Sequence, residues 1–356
     1  MNILTLIFAC FALIGAVDSV TGNHLKLGPE FEKGIQLAGT VILAMLGILC
    51  LTPVISDVIA PVIVPACEFL HIDPSVIPGM LIANDMGAAP LAQSLSDNAL
   101  LSGFNGLVMS AMMGCTVTFT IPTALRMVQK EQHPEALLGI LCGIATVPVG
   151  CFVSGIIAKI PLITLLIDLI PLLIFAGIII LGLLKAPMLS VKIMNIFGKL
   201  IFALITVGLG LAIFRCLTDF EILKGMAPAQ DYFEMLFELI FCMAGVFPLV
   251  KVVSFLLKRP LGFISKKIGI NEVAALGLVT TLASSTPVFG MTRDMNKKGV
   301  ILNLAFSVSA AFVISDHLVY TMMFDKSFIP ALVAGKLVAG IASLFIANFI
   351  AGKEEK

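Results

Sequence analysis

Nine stretches of this chain run for about 20 residues with almost no charge, the length an α-helix needs to cross the hydrocarbon of a bilayer. They lie at about 2–21, 35–55, 99–124, 135–158, 160–184, 196–216, 231–257, 299–320 and 329–351. In hydrocarbon the backbone must satisfy its own polar groups, so runs this long are helices. Charged residues make up 12% of the chain, about half the share of a soluble domain. A soluble surface cannot be built from so few, and the chain reads as an all-α integral membrane protein. Its first apolar run has no basic n-region and no A-x-A site, so it reads as a helix and not as a signal peptide.

Two further apolar stretches are interrupted. Residues 74–94 break at Asn84-Asp85-Met86-Gly87, and residues 271–291 break at Ser284-Ser285-Thr286-Pro287. They occupy matching places in an internal repeat. An offset of 198 superposes Asn105 on Asn303, Gly79 on Gly277, Asn98 on Asn296 and Met45-Leu46-Gly47 on Met243-Ala244-Gly245. Repeat one is read as 1–158, a linker helix and loop as 159–195, and repeat two as 196–356.

Basic residues decide how the broken stretches run, because cytoplasmic loops are rich in Lys and Arg. If 271–291 spans, Lys258, Arg259, Lys266 and Lys267 lie opposite Arg293, Lys297 and Lys298. If both broken stretches dip in and return, these clusters share one face with most other Lys and Arg. Only Lys159, Arg215, Lys224 and Lys326 are then left on the far side. The second arrangement gives two inverted-topology repeats, each of four spanning helices plus one re-entrant broken hairpin, joined by a linker helix. The N-terminus is expected outside and the C-terminus in the cytoplasm. Tyr232 and Tyr320 then fall at the outer interface, where amphipathic rings are favoured. The stretches 57–73 and 258–270 are expected to lie along the membrane surface as lead-ins to the hairpins.

Interrupted segments at matching positions of inverted halves point to a transporter's binding site. Irregular backbone at membrane depth must line a wet cavity or be covered by protein. The two tips are therefore expected to meet near the midplane, where half-helix carbonyls carry partial negative charge. Asp85 adds a full charge, so the pocket favours a cation. Asp316 and Lys336 sit at comparable depth, and either pair with each other or leave Asp316 facing the solute. Asn105 and Asn303 either bond to the tips or hold helices together. Asp168 reads as a helix-contact or oligomer residue, and His317 as packing. The cysteines form no C-x-x-C pair and the histidines no metal-ligand spacing. There is no P-loop, dinucleotide fingerprint or H-E-x-x-H. The only nucleophile–base candidate, Asp316-His317, is split by about 100° around a helix, so the chain is not expected to be an enzyme.

Several segments together resemble the ethanolamine transporter (EutH) family of bacterial ethanolamine-utilisation systems. They are Asn84–Gly87, Leu282–Met291, Asn303–Phe312, Asp316-His317-Leu318 and Gly335-Lys336-Leu337. The family pattern has Asn-Asn where this chain has Ser284-Ser285. The resemblance implies ethanolamine uptake across the bacterial cytoplasmic membrane. Asp85 and the hairpin carbonyls would hold the ammonium, and Ser284, Ser285 or Thr286, with Asn84, the hydroxyl. Asn105, Asn303 and Asp316 complete the candidate set. The partners expected are a small cation and the lipid bilayer, with a homo-oligomer left open. No cofactor, metal or nucleic acid is expected. The alternatives are a carrier or channel for another small polar metabolite, such as an amino acid or nucleoside, and an intramembrane enzyme.

Overall fold

The computed structural model describes residues 3–354, and the side chains of 257–267 and 353–354 lie outside the described set. Among the described residues, eight helical stretches are long and apolar enough to cross a membrane: Ile3–Val20, Gly28–Phe69, Ala99–Met127, Lys130–Ile157, Leu162–Lys185, Pro187–Thr218, Ala229–Leu256 and Lys326–Gly352. The all-helical membrane architecture expected from the sequence is the one observed.

The core is the stretch from 99 to 127. It starts as α6 (Ala99–Gly103), passes through π-helical turns at Phe104–Gly114 and Thr116–Thr120, and ends as α7 (Ile121–Met127). Nearly all of it is buried. Its Gly, Ala, Ser, Thr and Met residues on every face suit a helix enclosed by other helices. By contrast α1 (Ile3–Val20), α9 (Leu162–Lys185) and α10 (Pro187–Thr218) expose rows of Leu, Ile and Val. A soluble protein would hide such faces; here they are the surface that lipid covers.

Both interrupted segments fold back on themselves. In the first, α4 (Val76–Leu81) gives way to extended residues 82–83 and a single turn of 3₁₀ helix, Asn84–Met86. Gly87 follows at φ +101°, a left-handed conformation suited to glycine, and starts α5 (Ala88–Leu95). The two ends meet: Ser96 Oγ donates to Asp73 Oδ2 at 2.7 Å. In the second, α12 (Glu272–Ala283) breaks at 284–285 before α13 (Thr286–Met291). There Asn271 Nδ2 donates to the Asp294 carbonyl at 2.7 Å and Asn296 Nδ2 to that of Gly269 at 2.9 Å. In each segment the two ends are thus in contact.

Residues 198 apart make like contacts. Gly79 lies against Asn105, and Gly277 against Asn303, with no room for a Cβ at either glycine. Asn98 caps the helix after the first broken segment and Asn296 the helix after the second. Gly47 of α3 (Ala38–Phe69) abuts the backbone of Ile205 and Leu209 in α10, while Gly245 of α11 (Phe233–Ile268) abuts that of Phe8 in α1. The helices α8 (His133–Ile157) and α16 (Ile329–Glu354) run antiparallel: Gly150 lies on Gly335, and Ser154 Oγ donates to the Ala331 carbonyl at 2.7 Å.

Some expectations are corrected. The stretch 299–320 is not one span. It is α14 (Lys297–Ala310), an unwound link over 311–315, and α15 (Asp316–Phe324), with Phe312 at φ +63°. The link contains neither Gly nor Pro; tertiary hydrogen bonds hold it open. Phe312 N donates to the Thr281 carbonyl (3.2 Å), Ile314 N to that of Leu282 (3.1 Å), and Ser315 Oγ to that of Ala283. These carbonyls end α12 and have no partner within their own helix. An unsatisfied group there costs several kcal/mol, so the two breaks satisfy one another. Nor is 57–73 a separate surface segment. Helix α3 continues to Phe69 through Pro53, Pro61 and Pro65, and α11 likewise runs on to Ile268. The side chains of Lys258, Arg259, Lys266 and Lys267 lie outside the described residues.

Candidate functional site

A cavity of about 90 Å³ lies between the tip of the first interrupted segment and the start of α15, and Asp85, Asp316 and Tyr320 line it. Asp85 is carried by the 3₁₀ turn, and its amide donates to Asn84 Oδ1 at 2.9 Å. Asp316 opens α15, where the helix dipole favours a carboxylate. Tyr320 is one turn further on the same face. It is 1% exposed, and among the described residues its hydroxyl has no partner; the buried Asn84 Nδ2 also lacks one. Among the described residues neither Asp85 nor Asp316 is in a salt bridge.

The apolar walls come from α3 and α11 in matching pairs. Val41 and Met45 face the cavity from one helix, and Leu239 and Met243 from the other, again 198 residues apart. The cavity therefore sits between the two halves of the chain. A single water needs only about 10–15 Å³ by such a measure, so the space suits a solute of a few heavy atoms.

Lys336 does not pair with Asp316. Its side chain is fully buried, and Nζ lies 2.6 Å from the Ala111 carbonyl and 3.0 Å from His317 Nδ1. Adjacent residues diverge around a helix, so Asp316 faces the cavity while His317 turns to Lys336 and packs its ring on Phe312. Among the described residues, no protein cation forms a salt bridge with either carboxylate of the cavity.

The remaining candidates sit elsewhere. Ser285 is buried at the second break, its hydroxyl unpartnered among the described residues, and Ser284 and Thr286 are half-buried beside it, but none of the three lines the cavity. The α12 carbonyls expected to face the solute are occupied by the donors from 312–315. Asn105 Nδ2 donates to Ser75 Oγ (3.0 Å) and Asp168 Oδ1 (3.2 Å), tying the linker helix to the base of the first broken segment. Asn303 Nδ2 donates to the carbonyls of Ala274 and Gly299, both at 2.9 Å. Both asparagines fasten helices. Sequence reasoning missed Tyr320 as a site residue, having assigned it to the membrane interface; its spacing of four from Asp316 was the available signal. Among the described residues no His, Cys, Asp and Glu side chains gather as a metal site.

Among the described residues, eight long apolar helical stretches together with shorter interrupted ones define a multi-pass α-helical membrane protein. The family model described as "Ethanolamine utilisation protein, EutH" matches residues 1–350, and the chain belongs to that family. It is 38% identical over 355 residues to the "Probable ethanolamine permease EutH" of Listeria monocytogenes, covering 100% of this chain and 95% of the relative. It is 32% identical over 392 residues to the proteins of the same name from Salmonella typhimurium and Escherichia coli, covering 99% of this chain and 96% of each. No solved structure matches it.

Proposed function

We propose that this protein is a membrane transporter that carries ethanolamine as its ammonium cation, held between Asp85 and Asp316. The observation that carries the reading is that these two carboxylates, free of salt bridges among the described residues, line one small cavity with the unpartnered Tyr320 hydroxyl. Two carboxylates in so small a space repel each other, and a cation between them offsets that repulsion. Ethanolamine has one ammonium and one hydroxyl. The ammonium bridges the aspartates, and the hydroxyl role expected of Ser284, Ser285 or Thr286 passes to Tyr320. The family membership and the names of the relatives support the substrate.

The mechanism rests on two inverted repeats, 1–158 and 196–356, joined by the linker 159–195. The reciprocal packing of α1 on α11 and α10 on α3, and the antiparallel contact of α8 with its mate α16, support this reading. In it, 74–94 and 271–291 are re-entrant hairpins, and one bundle rocks against the other around the shared cavity. The N-terminus lies outside and the C-terminus in the cytoplasm, in accord with the basic residues. The test is uptake of labelled ethanolamine by the purified chain in proteoliposomes. Uptake should saturate and be inhibited by small primary amines, but not by amino acids or nucleosides. Purified protein that folds yet gives no saturable uptake would overturn the proposal.

A further inference from the structure

A second and larger cavity, of about 850 Å³, opens beside the junction of α7, α8 and the start of α10. Arg126, Lys130, His133, Lys192 and Lys199 line it, and no acidic residue does. Arg126 is in the last turn of α7, Lys130 in the turn that follows, and His133 at the start of α8. Lys192 and Lys199 are two turns apart on one face of α10, about 10 Å along its axis. Among the described residues none of Arg126, Lys130, Lys192 and Lys199 forms a salt bridge, whereas Lys251 pairs with Glu30 and Lys297 with Glu135. His133 Nε2 contacts the Val128 carbonyl at 3.3 Å.

Between these cations the walls are apolar, with Leu125, Leu137, Val191 and Ile196 facing the same space. The cavity also lies where membrane-crossing stretches end or begin: Ala99–Met127, Lys130–Ile157 and Pro187–Thr218. That is the depth of lipid headgroups, and a basic pocket between helices at that depth suits an anionic headgroup. The mixture of cations and apolar wall selects the ligand. A soluble anion would use the charges and gain nothing from the walls. A second copy of this chain would have to bring carboxylates and apolar side chains together.

We infer that this cavity is a binding site for one anionic phospholipid. The headgroup phosphate is held by Arg126, Lys192 and Lys199, and an acyl chain lies along Leu137 and Ile196. The site is separate from the ethanolamine cavity and stands whether or not that assignment holds.

Native mass spectrometry of the purified full chain tests it, with phosphatidylglycerol or phosphatidylcholine supplied in detergent. The wild type should retain phosphatidylglycerol and not phosphatidylcholine. The triple variant Arg126→Gln/Lys192→Gln/Lys199→Gln should lose on the order of a hundredfold in retention, from about fivefold per charge. A charge-conserving control, Arg126→Lys/Lys192→Arg/Lys199→Arg, should keep it. If the triple variant does not fold, Lys192→Gln and Lys199→Gln singly should each lose about fivefold. Equal retention of both lipids overturns the assignment, as does undiminished retention in folded variants. So does displacement of the lipid by millimolar inorganic phosphate, which marks a soluble-anion site. A dimer that forms without lipid and is abolished by the triple variant marks a protein interface and also overturns it.

Discussion

Replacing Asp85 or Asp316 by Asn keeps the shape of the cavity and removes one charge, which makes the pair a direct probe of cation binding. Both carboxylates face a space of about 90 Å³, so an ammonium within it is a near neighbour of each. Two unit charges at about 4 Å attract by about 4 kcal/mol at an effective dielectric of about 20. A hydrogen bond to a charged group contributes about 1.5–3 kcal/mol net, after the cation's lost hydration is counted. Either single variant should therefore raise KM for ethanolamine by roughly 10- to 1,000-fold. Because one ammonium is shared, the two losses should not add; the double-mutant coupling should exceed about 0.5 kcal/mol. Thermal unfolding supplies an independent sign. Each variant removes like-charge repulsion, so neither should be less stable than wild type without substrate. Wild type should gain about 2.7 kcal/mol at a hundredfold excess of ethanolamine over its Kd, and each variant less at the same concentration. The assay is initial-rate uptake in proteoliposomes, paired with a thermal-shift series. If both single variants keep the wild-type KM while folding normally, the cavity does not hold the cation.

Three more outcomes follow from the geometry. Tyr320→Phe should raise KM for ethanolamine about fivefold, the worth of one neutral hydrogen bond, and should leave competition by ethylamine, which lacks the hydroxyl, nearly unchanged. Gly245→Ala drives a Cβ into the Phe8 carbonyl and Gly47→Ala does the same at Ile205; each should destabilise the fold by about 1–3 kcal/mol, read as a lowered unfolding midpoint, whereas Gly177→Ala, with open space around it, should not. In a cysteine-free background, Cys at positions 73 and 96 should react with an impermeant thiol reagent from one side, and Cys at 271 and 294 from the opposite side; labelling of 73 and 96 from different sides would mean the segment crosses the membrane.

The sequence alone determined the class of fold, because a bilayer allows few choices: apolar runs near 20 residues must be helices, and the scarcity of charge rules out a soluble surface. It also located the two breaks. Asn84–Gly87 and Ser284–Pro287 combine small, polar and Pro or Gly residues that disfavour a continuing helix, and the offset of 198 tied Gly79 and Asn105 to Gly277 and Asn303. What it could not reveal was set by partners distant along the chain. The link at 311–315 has no breaker; it is unwound because the last carbonyls of α12 need its donors. Helix α3 ignores three prolines since packing and neighbouring groups outweigh the local preference. Lys336 turned to His317 and Ala111, where comparable depth had made Asp316 a candidate partner, and that choice left two aspartates together in one cavity. Burial of Tyr320 followed from the same folding of α15 between the halves. Periodicity and hydropathy report what one segment prefers for itself; where a buried polar group finds its partner depends on which segments meet, and only the assembled helices decided that.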